Sequence, residues 1–172
     1  MGFLRHRDDA PQGRRFQMRE KIVSIGDDAW IEDENGDRVY KVDGKAMRMR
    51  ETFILQDRNG QEVAKIQEKK LSVRDKMTVE RGDRKVATIH KALVGFRDRF
   101  EIEVEDGEDL KAKGNIVDHE YEIKRDGDVV ATVSKKWFRI RDTYGIEIAH
   151  GEDEALMLAV TVAIDQLGRG RD

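Results

Sequence analysis

Hydrophobic and polar residues alternate along most of the chain, and one apolar block near the C-terminus breaks the pattern. Phe53-Ile54-Leu55, Glu62-Val63-Ala64-Lys65-Ile66, Phe100-Glu101-Ile102-Glu103-Val104 and Tyr121-Glu122-Ile123 repeat with a period of two. That period predicts strands with one face toward water. Turn formers separate the runs at Glu34-Asn35-Gly36-Asp37, Asp57-Arg58-Asn59-Gly60, Arg81-Gly82-Asp83, Glu105-Asp106-Gly107 and Arg125-Asp126-Gly127-Asp128. Asn-Gly and Asp-Gly readily take the positive φ of tight hairpins. The segments Phe53–Leu71, Met77–Leu93 and Tyr121–Phe138 share a strand, a turn, a Val-Ala pair and then basic residues. Because the likeness lies in residue classes, it reads as repeated hairpin grammar rather than duplication. The pattern predicts ten to twelve strands joined as an antiparallel meander.

Glu154–Leu167 is different. Leu156, Val160, Ala163, Ile164 and Leu167 fall on one side of a helical projection, and Met157, Ala159 and Val162 cover much of the rest. Only Glu154, Thr161 and Asp165 make a polar stripe, which Leu158 interrupts. A helix apolar nearly all round is enclosed by protein or by lipid. This one is shorter than the ~20 apolar residues of a membrane span and carries Asp165. Strands must therefore enclose it. A long meander leaves sticky edges unless it closes, and a barrel of twelve strands has a lumen that side chains alone do not fill. A helix ~10–12 Å across fills it. The expected fold is mainly β: a closed antiparallel barrel of about 12 strands around a buried C-terminal helix. Residues 15–167 form the single domain, 1–14 a flexible leader and 168–172 a tail.

Composition narrows the functional classes. The 172 residues include 33 Lys+Arg against 36 Asp+Glu, a net charge of −3, so any electropositive site must be local. With aromatics at only 6%, nucleic-acid binding is not expected. Cysteine is absent, which excludes disulfides and thiolate chemistry. Met1–Arg15 lacks the apolar core of a secretory signal, and His6 stands where a myristoylation signal needs Ser or Thr. The expected location is cytoplasmic, at most peripheral to a membrane. A closed barrel without edges is expected to be a monomer.

The chain resembles the LURP-one-related family, relatives of tubby C-terminal domains and phospholipid scramblases. The resemblance rests on Arg15-Phe16-Gln17-Met18-Arg19-Glu20-Lys21, Val133-Ser134-Lys135-Lys136-Trp137-Phe138 and Asp142-Thr143-Tyr144-Gly145-Ile146-Glu147-Ile148. To these it adds the closing helix from Leu158-Ala159 through Ala163-Ile164-Asp165, and it spans Arg15 to Leu167. It implies the tubby-like barrel and a non-enzymatic binding module. The implied ligand is an anionic lipid headgroup or a phosphorylated molecule at a membrane surface; a protein-interaction scaffold is the alternative. Scrambling is not carried over, because the acylated cysteines and the apolar C-terminal tail are missing.

Candidate residues follow. Arg48, Arg50, Lys135 and Lys136 are expected to hold an anionic ligand, with Lys69, Lys70, Lys111 and Lys113 also near strand ends. Trp137 and Phe138 beside the lysines have the character of a membrane-interface anchor; the competing expectation packs one ring into the barrel. Asp142, Glu147 and Asp153 occupy the place of the scramblase calcium segment. Gly151-Glu152-Asp153-Glu154 reads equally as an acidic helix N-terminus. Thr161 and Asp165 are the polar groups of the buried helix, and Asp165 is expected to pair with a strand Lys or Arg or to reach water at the barrel's mouth. The histidines show no metal or catalytic spacing and are expected on the surface. No triad or nucleotide cradle is visible, so neither catalysis nor a cofactor is expected.

Overall fold

The computed structural model describes residues 13–19, 28–44, 52–69, 76–92, 99–138 and 142–168. The strands are β1 (Arg14–Arg19), β2 (Asp28–Asp33), β3 (Arg38–Asp43), β4 (Thr52–Asp57), β5 (Glu62–Lys69) and β6 (Lys76–Arg81). They continue with β7 (Arg84–Ala92), β8 (Arg99–Val104), β9 (Leu110–Asn115), β10 (Glu120–Arg125), β11 (Asp128–Ser134) and β12 (Thr143–Ile148). Among the described residues the single helix, α1, spans Glu154–Gly168. Every strand pairs antiparallel with its neighbours in sequence, and β1 pairs with β12, so the meander closes.

Turn chemistry repeats from hairpin to hairpin. Asp33 Oδ1 accepts the N–H groups of Asn35 and Asp37, and Asp57 Oδ1 accepts those of Asn59 and Gln61. Gly36 and Gly60 supply the positive φ these two turns need, 82° and 79°. The strands alternate as their sequences do. Phe100, Ile102, Leu110, Ala112, Tyr121 and Ile123 point inward and are buried, whereas Lys111 and Lys113 between them are exposed. An apolar lumen and a charged outer wall suit a wall that faces water, the reverse of a transmembrane barrel. Among the described residues no helix is long and apolar enough to cross a membrane.

Leu156 through Asp165 of α1 are all buried in the lumen. Burying Leu156, Met157, Leu158, Val160, Val162 and Ile164 contributes about 10–20 kcal/mol before entropy, an upper bound. Antiparallel order puts the turns after β2, β4, β6, β8 and β10 on one rim. α1 enters there, directly after β12, and its C-terminal end reaches the far rim beside the 116–119 turn.

Candidate functional site

The acidic segment at the helix entry is neutralised one carboxylate at a time. Arg125 of β10 donates to Glu152 Oε1 and Oε2 at 2.6 and 2.9 Å. Arg81 of β6 grips Asp153 at 2.7 and 2.6 Å, and Arg14 of β1 grips Glu154 at 2.8 and 3.1 Å. Three arginines from well-separated strands thus fasten three consecutive residues. Asp153 also caps α1: its Oδ1 accepts the Leu156 N–H at 3.1 Å and its backbone oxygen that of Met157 at 3.0 Å. The Arg81 contact holds the Asp153 carboxyl below its usual range, against an opposing effect of burial. Glu147 pairs with Arg15 at 2.6 Å, and Asp142 is exposed with a φ of 59°. Asp142, Glu147 and Asp153 are therefore not brought together. Among the described residues no group of three or more His, Asp or Glu side chains could hold a metal ion.

After β11 the chain turns sharply. Glu120 accepts the Ser134 hydroxyl at 2.9 Å and the Lys135 N–H at 3.1 Å, and Ser134 Oγ accepts the Lys136 N–H at 3.1 Å. This throws Trp137 and Phe138 back over the outside of β12. Gly145 makes the room: a Cβ there would lie 2.6 Å from Phe138 Cε2 and 2.9 Å from Trp137 Cε3. The Arg15 guanidinium sits 4.9 Å from the Trp137 ring centre, a cation–π contact. Neither ring enters the barrel, which corrects the expectation of interior packing; a glycine on the outer wall offers them cover instead. Lys136 is exposed. Arg48 and Arg50 lie outside the described residues.

Inside the far rim, Asp165 Oδ1 lies 2.8 Å from His119 Nε2, both side chains being over nine-tenths buried. A histidine from a turn is therefore a partner of this carboxylate, which was expected to meet a strand Lys or Arg or to reach water. His119 stacks on Tyr144 with ring centres 4.2 Å apart. Its φ is 52°, and its N–H closes the turn onto Ile116 O at 3.1 Å. Thr161 spends its hydroxyl on Met157 O at 2.8 Å. Burial first, and then the Asp165 carboxylate, push the Tyr121 phenol up, so it stays protonated. His119 was expected on the surface. Its spacing carries no signal; only the closed topology brings it to Asp165. His90 is also buried, with Nε2 3.2 Å from Glu101.

Positive charge gathers on the outer wall of β8, β9 and β10. There a groove of about 390 Å3 is lined by Arg99, Lys111, Lys113, Lys124, Asp109 and Asp126. The register sets Arg99 directly across from Lys113, and Lys111 directly across from Lys124; on their other flanks Lys113 faces Glu122 and Lys111 faces Glu101. Like charges placed opposite each other are destabilising. Acids flank the groove but are turned to other partners. Glu122 takes Lys124 at 3.2 Å, and Glu101 lies against His90. Among the described residues Arg99, Lys111 and Lys113 make no ion pair, whereas Arg14, Arg15, Arg81 and Arg125 each have a carboxylate. Sequence reading reached Lys111 and Lys113 as basic residues near strand ends but missed Arg99 and Lys124, because register alone decides which outward residues meet.

A family model described as LURP-one-related matches residues 14–165. No curated protein matches the chain. The barrel is similar to the X-ray structure of a protein from Arabidopsis thaliana, with a TM-score of 0.68 and 18% identity, covering 93% of this chain and 94% of that one.

Proposed function

The chain belongs to the LURP-one-related family, and from that premise we propose that it is a non-enzymatic binding module whose outer groove on β8–β10 holds a phosphate-bearing ligand. The ligand is a lipid headgroup or another phosphorylated molecule, and the protein works at a membrane surface in the first case. The carrying observation is the groove itself, where Arg99, Lys111 and Lys113 gather on one wall and make no ion pair among the described residues. Each β9 lysine also faces an acid, Lys111 facing Glu101 and Lys113 facing Glu122, but those acids are engaged elsewhere, so a bound anion would relieve the repulsion among the cations. Phosphate oxygens suit both groups, the planar Arg fork and the Lys point charge.

A scaffold would draw its affinity from an apolar patch. Among the described residues the exposed large apolar side chains are Val117 and Val129, which favours the groove reading. Co-sedimentation with phosphatidylcholine vesicles containing phosphatidylglycerol, beside titration with inorganic phosphate, tests it. Binding that weakens with salt and is lost in Lys111→Gln/Lys113→Gln supports the proposal. Binding of neither probe at low salt overturns it.

A further inference from the structure

The groove is not uniformly positive. Asp109, just before β9, is followed by Lys111 and Lys113 on the strand's outward side, spaced about 6–7 Å apart by the rise of a strand. Asp126 lies in the β10–β11 turn on the same rim as Asp109, and both line the groove. The acidic end is therefore at the helix-entry rim, with the cations above it. Asp109 Oδ1 accepts the Val104 N–H at 3.0 Å. Among the described residues neither carboxylate forms an ion pair, although four cations share the groove with them. Elsewhere on the wall such neighbours join, as Lys65 does with Glu80 and Lys85 with Glu105. Charges of both signs are held apart along one channel.

We infer that the groove takes a zwitterion: a phosphate ester on Arg99, Lys111 and Lys113, with a primary ammonium two carbons away on Asp109 and Asp126. An aminoethyl phosphate carries its two charges in that order, a few ångström apart, on the scale of the strand's two-residue repeat. An anion without the ammonium would meet the two carboxylates as repulsion, which makes them a device for selectivity. The inference rests on the phosphate-binding reading above. The same chemistry occurs free, as phosphoethanolamine, and at the head of an aminophospholipid.

Calorimetric titration of the full chain with phosphoethanolamine, glycerol phosphate and ethanolamine separates the possibilities. Phosphoethanolamine is expected to bind about fivefold tighter than glycerol phosphate, the scale of one exposed ion pair, and ethanolamine not at all. In Asp109→Asn/Asp126→Asn the preference disappears while glycerol phosphate still binds. Both substitutions suit the fold: asparagine can accept the Val104 N–H, and it tolerates the φ of 47° at Asp126. Vesicles in which phosphatidylethanolamine replaces part of the phosphatidylcholine identify the source: a gain there marks the lipid, and binding confined to the soluble ester marks the free form. Glycerol phosphate binding as tightly as phosphoethanolamine overturns the zwitterion and leaves the phosphate reading standing. If neither ester binds, both fall.

Discussion

Arg81 and Asp153 hold each other through two parallel hydrogen bonds, Nη1 to Oδ2 at 2.7 Å and Nη2 to Oδ1 at 2.6 Å. The contact ties β6 to the first turn of the central helix, and the same carboxylate caps that helix. One side chain thus sets both where α1 begins and how it is seated against the barrel.

Asp153 makes stability depend on acid. Its folded pKa lies below the usual value, so the stabilisation is complete above the unfolded pKa of about 3.9 and is lost as pH falls through the folded one. Arg81 stays charged throughout. Thermal melts from pH 7 to pH 3 should therefore fall more steeply for the natural chain than for Asp153→Asn. At pH 7 the Asn variant, which keeps a capping oxygen, should lose up to ~1 kcal/mol, and Asp153→Ala about 1 kcal/mol more. Equal acid slopes for Asn and Asp would remove the ion pair from the account.

His119 and Asp165 should prove energetically coupled. Truncating Asp165 to Ala leaves its buried partner without a hydrogen-bonding carboxylate and is expected to cost about 1–3 kcal/mol. A double-mutant cycle built from Asp165→Asn and His119→Asn, the latter compatible with positive φ, should return a coupling of about 0.5–3 kcal/mol by urea denaturation. Additive losses would mean that the two groups merely share a neighbourhood.

Gly145 is the seat of the aromatic strap. Gly145→Leu forces the Trp137 and Phe138 rings off the wall, because even a Cβ collides with them. Overpacking of this kind costs about 1–3 kcal/mol. In a Trp30→Phe background, where Trp137 is the remaining tryptophan, its emission should move to longer wavelength and become easier to quench with iodide. An unchanged spectrum would place the ring elsewhere.

Much of the architecture was legible from periodicity. The alternation of Phe100-Glu101-Ile102-Glu103-Val104 is that of a wall with one dry face, and the all-round apolarity of Leu156 to Ile164 requires a cylinder to hide in. The acidic stretch 152–154 was readable as a helix start by its charge, but not its three arginines, which arrive from β1, β6 and β10. The partner of Asp165 was illegible for the same reason. His119 is 46 residues away, and no local pattern marks a histidine that only closure of the barrel brings inward. Trp137 and Phe138 stood out as aromatics beside lysines, yet their seat depends on Gly145, whose missing side chain carries no signal by itself. The groove was half visible, through Lys111 and Lys113; its oppositions depend on the pairing of β8 with β9 and β9 with β10.

The sharpest measurement is a paired one on Arg99→Glu, reading melting temperature and inorganic phosphate affinity in the same preparation. The substitution replaces the like-charge opposition to Lys113 with a matched pair and faces Ala92 on the other flank. A cross-strand ion pair of this kind is worth about 0.2–1 kcal/mol, so the variant should melt slightly higher than the natural chain while losing phosphate binding. A variant that melts lower and still binds phosphate with undiminished affinity would contradict the claim that this wall trades stability for an anion.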